Sequence, residues 1–282
     1  MEKAWSVMAS NTPDVEIITA NAGVGKTYRI LQIIKEHTAD HGYNFLCLAF
    51  NRDKSKSLRR RIKNSLPHKN QDSLQTVPAH CEKNVQTYTI HSLAYQFSKF
   101  RHSQLPANGT GTDLSSDEDD FQTTGRTKAL QEKYDKMLVD FLAQDLSHSN
   151  DWPVLTNIHL LVVDEIQDLK YGHIAVIYKL VSQLKIPRVI LSGDRNQNIY
   201  GSMFFEESEN LQRHAKNILS QFGYQGETAF AYFNAIWPQA KPLPIPNRPK
   251  RFESNLQIPR IIDKWMQGSE LSYHPYLYQS PQ

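Results

Sequence analysis

The segment Ala20-Asn21-Ala22-Gly23-Val24-Gly25-Lys26-Thr27 constrains this chain more than any other stretch. It follows an apolar, β-branched run, VEIITA at 15–20, and opens into YRILQIIKEHTADHG, which has helical periodicity and Gly42 as a C-cap. Small residues let backbone N–H groups close around phosphate oxygens, and the helix behind them offers its positive end. The pattern is that of a phosphate-binding loop, with Ala20 in place of the usual first glycine. In such a loop Lys26 reaches the β/γ-phosphates of ATP and Thr27 ligates Mg²⁺, while Tyr28 offers a ring that can stack on adenine.

The rest of the chain repeats this strand-then-helix order. FLCLAF (45–50), VQTYTI (85–90), HLLVVDE (159–165) and RVILSGD (188–194) read as buried strands. Helical patterns follow them, the first of which begins in the basic block RDKSKSLRRRIK at 52–63. Strands alternating with helices predict an α/β fold with a parallel sheet covered on both faces. Residues 105–126 lose all periodicity around the acidic DEDD at 117–120 and read as a flexible loop, followed by the helix KALQEKYDKMLVDFLAQDL. After 205 the chain is helix-like to about 222, and the Pro-rich WPQAKPLPIPNRPK then looks like a linker or hinge.

Two strand ends carry candidate chemistry beside the loop. HLLVVDE closes on Asp164-Glu165, where Asp164 can hold the water shell of Mg²⁺ and Glu165 can polarise an attacking water. RVILSGD runs on through Arg195-Asn196-Gln197-Asn198-Ile199-Tyr200-Gly201. A glutamine there can hydrogen-bond a γ-phosphate, since ligands of open α/β sheets sit beyond the carboxyl ends of the strands.

Bulk properties narrow the class. No apolar run reaches 18 residues, so no membrane span is expected, and the first residues lack a secretory pattern. Cys47 and Cys81 are the only cysteines, which excludes a disulfide framework and fits an intracellular protein of the cytoplasm or nucleus. Eleven histidines form no HExxH group, leaving Mg²⁺ as the one expected metal. A net charge of +3 is compatible with nucleic acid.

Taken together, these motifs resemble superfamily 1 DNA helicases of the UvrD/Rep/PcrA type. Asp164-Glu165-Ile166-Gln167-Asp168 is similar to that family's DExxQD box, and GDRNQNIYG to its GDxxQxIY box. LAFNRDKSKSLRRRI resembles the family's TFTNKAAxEMxxRI segment, and TIHSLA at 89–94 its TFHSLA segment. The resemblance covers about residues 15–100 and 158–204 and implies a P-loop NTPase with a RecA-like sheet. It implies Glu165, Lys26 and Gln197 as catalytic residues, with Gln197 sensing the γ-phosphate. It also implies single-stranded DNA as partner, held by Asn51, Arg59, Thr89, His91 and Tyr200.

The implied organisation is an ATP-binding domain over 1–104 and 151–205, with residues 105–150 standing where the family carries an accessory subdomain. Residues 206–282 then lead into an incomplete second RecA-like domain, the chain ending before its remaining motifs. FESNLQIPRII (252–262) resembles the NYRSxxxI segment that opens that domain, with Leu256 and Gln257 at the Tyr and Arg positions. An arginine finger is then expected from a second chain or domain. Two alternatives stay open: a nucleotide-dependent DNA-binding or regulatory protein without autonomous unwinding, and a P-loop ATPase that is no helicase.

Overall fold

The computed structural model describes residues 12–21, 25–38, 43–65, 85–104, 128–146, 152, 154–195, 207–223 and 228–245. Five strands arise where the apolar runs predict them: β1 (Asp14–Thr19), β2 (Asn44–Ala49), β3 (Val85–Thr89), β4 (Ile158–Asp164) and β5 (Arg188–Gly193). With β6 (Lys241–Pro242) they form one sheet in the order β3-β2-β4-β5-β1-β6, every pairing parallel. This is the expected parallel sheet of an α/β fold.

Alternation along each strand sorts side chains onto two faces. Leu160 and Val162 of β4 join Phe45, Cys47, Ile18 and Ile190 on one face. There they meet Ile30, Ile33 and Ile34 of α1 (Lys26–Thr38) and Leu58 and Ile62 of α2 (Arg52–Ser65). Leu161 and Val163 point the other way, with Leu46, Leu48, Val189 and Leu191. That face is covered by α3 (Ile90–Gln104), α4 (Lys128–Ala143), α5 (Tyr171–Leu184), α6 (Glu209–Leu219) and α7 (Ala229–Ile236). A strand buried on both faces has no polar alternation, which is why these runs read as continuously apolar. Cys47 is free and wholly buried, and no described helix is long and apolar enough to cross a membrane.

The helix read in place of an accessory subdomain is α4, and it packs into the main core: Leu138, Phe141 and Leu142 are buried there, against Phe97 of α3 among others. The loop at 105–126 lies outside the described residues. The Pro-rich stretch is also no free linker as far as residue 245. Trp237 stacks on Phe233 of α7 with ring centroids 5.7 Å apart, Leu243 N–H donates to Ile17 O at 2.9 Å, and Lys241-Pro242 pair with Glu16-Ile17. Proline cannot donate to a ladder, but an edge strand leaves one side unpaired and tolerates it.

Pairing register fixes where chemistry can occur. Thr89 lies beside Ala49, Ala49 beside Asp164, Asp164 beside Ser192, and Gly193 beside Thr19. Five strand ends therefore form one continuous edge, on which every motif singled out in the described residues begins.

Candidate functional site

At the β1 end, Ala20 N–H donates to Gly193 O at 3.2 Å, tying the loop's first residue to β5. Gly25 has φ 105°, a conformation that side chains rarely adopt, so the glycine before Lys26 is a backbone requirement. Arg29 N–H then donates to Gly25 O and starts α1. Lys26 Nζ donates to Ala20 O at 2.8 Å and Asn21 O at 3.3 Å, and lies 4.0 Å from Asp194 Oδ2. Tyr28 is exposed beside the loop, its hydroxyl accepting from Gln32 Nε2. Ala22, Gly23 and Val24 lie outside the described residues, and Thr27 is half-buried at the first turn of α1.

Asp164 ends β4 almost wholly buried, with Oδ1 accepting from Glu165 N–H at 3.1 Å. Burial, and then the Glu165 charge beside it, push its carboxyl above the ordinary carboxylate range. Hard oxygen donors on Asp164 and Thr27 suit Mg²⁺, and a divalent cation relieves two neighbouring carboxylates. The residues present therefore fit the expected metal.

Glu165 has φ 59° and ψ 47°, a left-handed conformation that costs a non-glycine residue about 1–3 kcal/mol and tends to persist at functional sites. Its Oε1 accepts from Lys54 Nζ at 2.6 Å and its Oε2 from Gln167 Nε2 at 2.8 Å. Burial, the largest influence, raises this carboxyl, but those two hydrogen bonds together with the Lys54 and Lys26 charges outweigh it and hold Glu165 below its usual value. Gln167 also accepts from Asp194 N–H at 3.0 Å, so one side chain braces both strand ends. Neither Lys54 nor this bridging role of Gln167 was read from the sequence.

The second half of the site lies beyond the ends of β2 and β3. Asn51 caps α2, its Oδ1 accepting from Lys54 N–H at 2.9 Å. Thr89 and Ser92 cap α3 reciprocally, each side-chain oxygen accepting from the other's backbone N–H. The segments at 51–59 and 89–91 meet in one cleft of about 370 Å³ lined by Asn51, Arg59, Thr89 and His91. Four of the five expected DNA contacts thus share one surface. The fifth, Tyr200, lies outside the described residues, as do Gln197, Leu256 and Gln257.

The cleft holds further groups that sequence reasoning missed. Tyr88 and Tyr95 flank the His91 segment and were legible as its neighbours, whereas Lys133 and Tyr134 come from α4, where nothing local marked them. The His91 ring meets Tyr134 edge-on at 5.5 Å and His173 at 4.9 Å.

A small cavity that shares Phe50 and His91 with the cleft collects Asp135, Asp168, Lys170, His173 and Glu207. Burial, and then the Glu165 charge, push Asp168 up to about 7. Glu207, whose Oε1 accepts from Gly172 N–H at 2.8 Å, is raised by burial from 4.5 to about 7. A carboxyl raised in the folded state stabilises fully below its unfolded value and loses that contribution as pH rises through its folded value. Stability should therefore fall between about pH 4.5 and 7, with Glu207 contributing up to about 3 kcal/mol to the change. Urea unfolding at both pH values should show a flatter dependence in Glu207→Gln, and an equally steep one would contradict the assignment.

A family profile described as AAA domain matches residues 4–203, more than two thirds of the chain. No curated protein matches. Among solved structures, the chain is similar to Bacteroides sp Pif1 in complex with ADP-AlF4, with a TM-score of 0.41 and 14% identity over 96% of this chain and 46% of that one. It is also similar to a Pif1 helicase from work on unwinding at forked double-stranded DNA, with a TM-score of 0.34 and 15% identity over 85% of this chain and 40% of that one. The chain thus spans less than half the length of either structure. With the loop, the carboxylate pair and the parallel sheet on one continuous edge, this chain belongs to the AAA domain family.

Proposed function

We propose that this chain is the nucleotide-binding half of an ATP-driven motor acting on single-stranded DNA, of the UvrD/Rep/PcrA helicase kind. The observation that carries the reading is the shared edge. The cleft holding Asn51, Arg59, Thr89 and His91 adjoins the carboxylates that end β4, and α2 borders both.

In this reading Lys26 binds the β/γ-phosphates and Tyr28 offers its exposed ring to adenine. Thr27 and Asp164 would hold Mg²⁺, which would neutralise phosphate charge. Glu165 orients the attacking water and Gln197 senses the γ-phosphate. Arg59, Arg52 and Lys56 meet the strand's phosphates, while tyrosine rings stack on bases at about 1–3 kcal/mol each. An arginine finger from a second domain or chain completes the site. Such fingers supply about 10³–10⁵ in turnover. The motor would serve DNA repair or another pathway that exposes single strands.

Arg59→Glu tests the cleft. Binding of oligo(dT), followed by fluorescence anisotropy across a salt series, should weaken, and the log–log salt slope should shrink by about 1 or more. Unchanged affinity would favour a P-loop ATPase that does not act on nucleic acid.

A further inference from the structure

The cleft is chemically uneven. α2 lines it with Arg52, Lys56 and Arg59 and brings no ring. α3 adds Tyr95, and α4 adds Tyr134 and Met137 with a single cation, Lys133. Lys133, Tyr134 and Met137 fall at the spacing of one helix face, and all three are half-buried. The adjoining flank of α4 is anchored in the core by Leu138, Phe141 and Leu142, which turns this face to the cleft. Tyr134 is held before anything binds. Its ring meets His91 edge-on at 5.5 Å, and His91 meets His173 of α5 edge-on at 4.9 Å. An edge-on contact takes at most one face of a ring. Tyr88, by contrast, belongs to the charged side: burial raises its hydroxyl, and the nearby Arg59 charge works against that rise.

We propose that α4 supplies the base platform of the cleft: an unpaired base stacks on Tyr134 while the phosphates flanking it run along α2. This rests on the reading of the cleft as a single-stranded DNA site and deepens it, because α4 lies outside the segments whose motifs resemble those of helicases. Phosphates carry full charges and are drawn to the helix with three cations. Bases have apolar faces and stack on aromatic rings whatever their sequence. A ring whose plane is fixed beforehand loses little rotamer freedom when the base arrives.

The test uses the full chain as wild type, Tyr134→Ala, Tyr134→Leu, Tyr134→Phe and Arg59→Glu. Binding of oligo(dT) and of an abasic oligomer of the same length is read by anisotropy across a salt series, with melting temperatures as control. Tyr134→Ala and Tyr134→Leu should each weaken oligo(dT) binding about tenfold, the equivalent of about 1.4 kcal/mol, at an unchanged salt slope. Neither should alter binding of the abasic oligomer, and Tyr134→Phe, which keeps the ring, should bind like wild type. Arg59→Glu should weaken both oligomers and shrink the slope. The leucine variant keeps apolar bulk on the helix and carries the test if alanine unfolds the protein. Oligo(dT) affinity that the folded Tyr134 variants retain in full overturns the platform. So does an equal loss on both oligomers, since Tyr134 would then only hold the shape of the cleft. If wild type does not bind oligo(dT), the DNA reading itself fails and the platform with it.

Discussion

Lys26→Ala should abolish tight ATP binding and lower turnover by about 10²–10³-fold or more, the loss expected when a preorganised charge is removed from a site of developing charge. Its ammonium is the cation at the mouth of the loop, held by the Ala20 and Asn21 carbonyls and facing Asp194. Those carbonyls belong to a surface loop and can turn to water, so the fold should survive. Binding of a fluorescent ATP analogue and steady-state phosphate release, with the melting temperature as control, separate the two outcomes. A folded Lys26→Ala protein with undiminished turnover would remove the loop from the chemistry.

Gly193→Ala should cost about 3 kcal/mol of stability, combining overpacking with a buried donor left unpaired. A Cβ at Gly193 would lie 2.7 Å from Gln167 Oε1, 2.8 Å from Ile166 Cγ1 and 2.9 Å from Phe230 Cζ. Gln167 is the only one of these on a side chain with freedom to swing, and swinging breaks its hydrogen bond to Asp194 N–H. The same move withdraws Gln167 from Glu165, so turnover should fall along with stability. Urea unfolding reads the first effect and phosphate release the second. A Gly193→Ala protein as stable as wild type would mean that this strand end is loosely packed. Gly172 makes a useful contrast, because the atoms a Cβ would meet there are the ends of the Glu207 and Leu211 side chains.

The part of the site that was legible in the sequence is the part fixed by local pattern. Buried parallel strands have to be apolar and have to stop where the chain meets solvent, so VEIITA, HLLVVDE and RVILSGD located the ends of β1, β4 and β5 to within one residue. Two short elements escaped. α7 has eight residues bounded by turn formers, too few for helical periodicity to stand out, and β6 has two residues whose pairing comes entirely from β1. The Lys54–Glu165 pair joins residues 111 apart and exists only because β2 and β4 are neighbours in the sheet. Lys133 and Tyr134 read as an ordinary polar stretch of helix, since no spacing within α4 signals which cleft its flank will border.

Thr89 carries a further lesson. The resemblance to helicases marked it as a DNA contact, and the structure uses its backbone N–H and hydroxyl to cap α3 with Ser92. A short polar motif at a strand-to-helix turn has to satisfy the first free N–H groups of the helix whatever else it does. Asn51 does the same for α2. Capping holds both helix starts in place and so sets the walls of the cleft.

The most direct test of the central claim is phosphate release by this chain with ATP and Mg²⁺, titrated with oligo(dT) and run beside Lys26→Ala. The account predicts a slow rate without DNA that climbs with oligonucleotide to a plateau, and no such rise in Lys26→Ala. A rate that stays flat at every oligonucleotide concentration, in a chain that binds ATP, would contradict it.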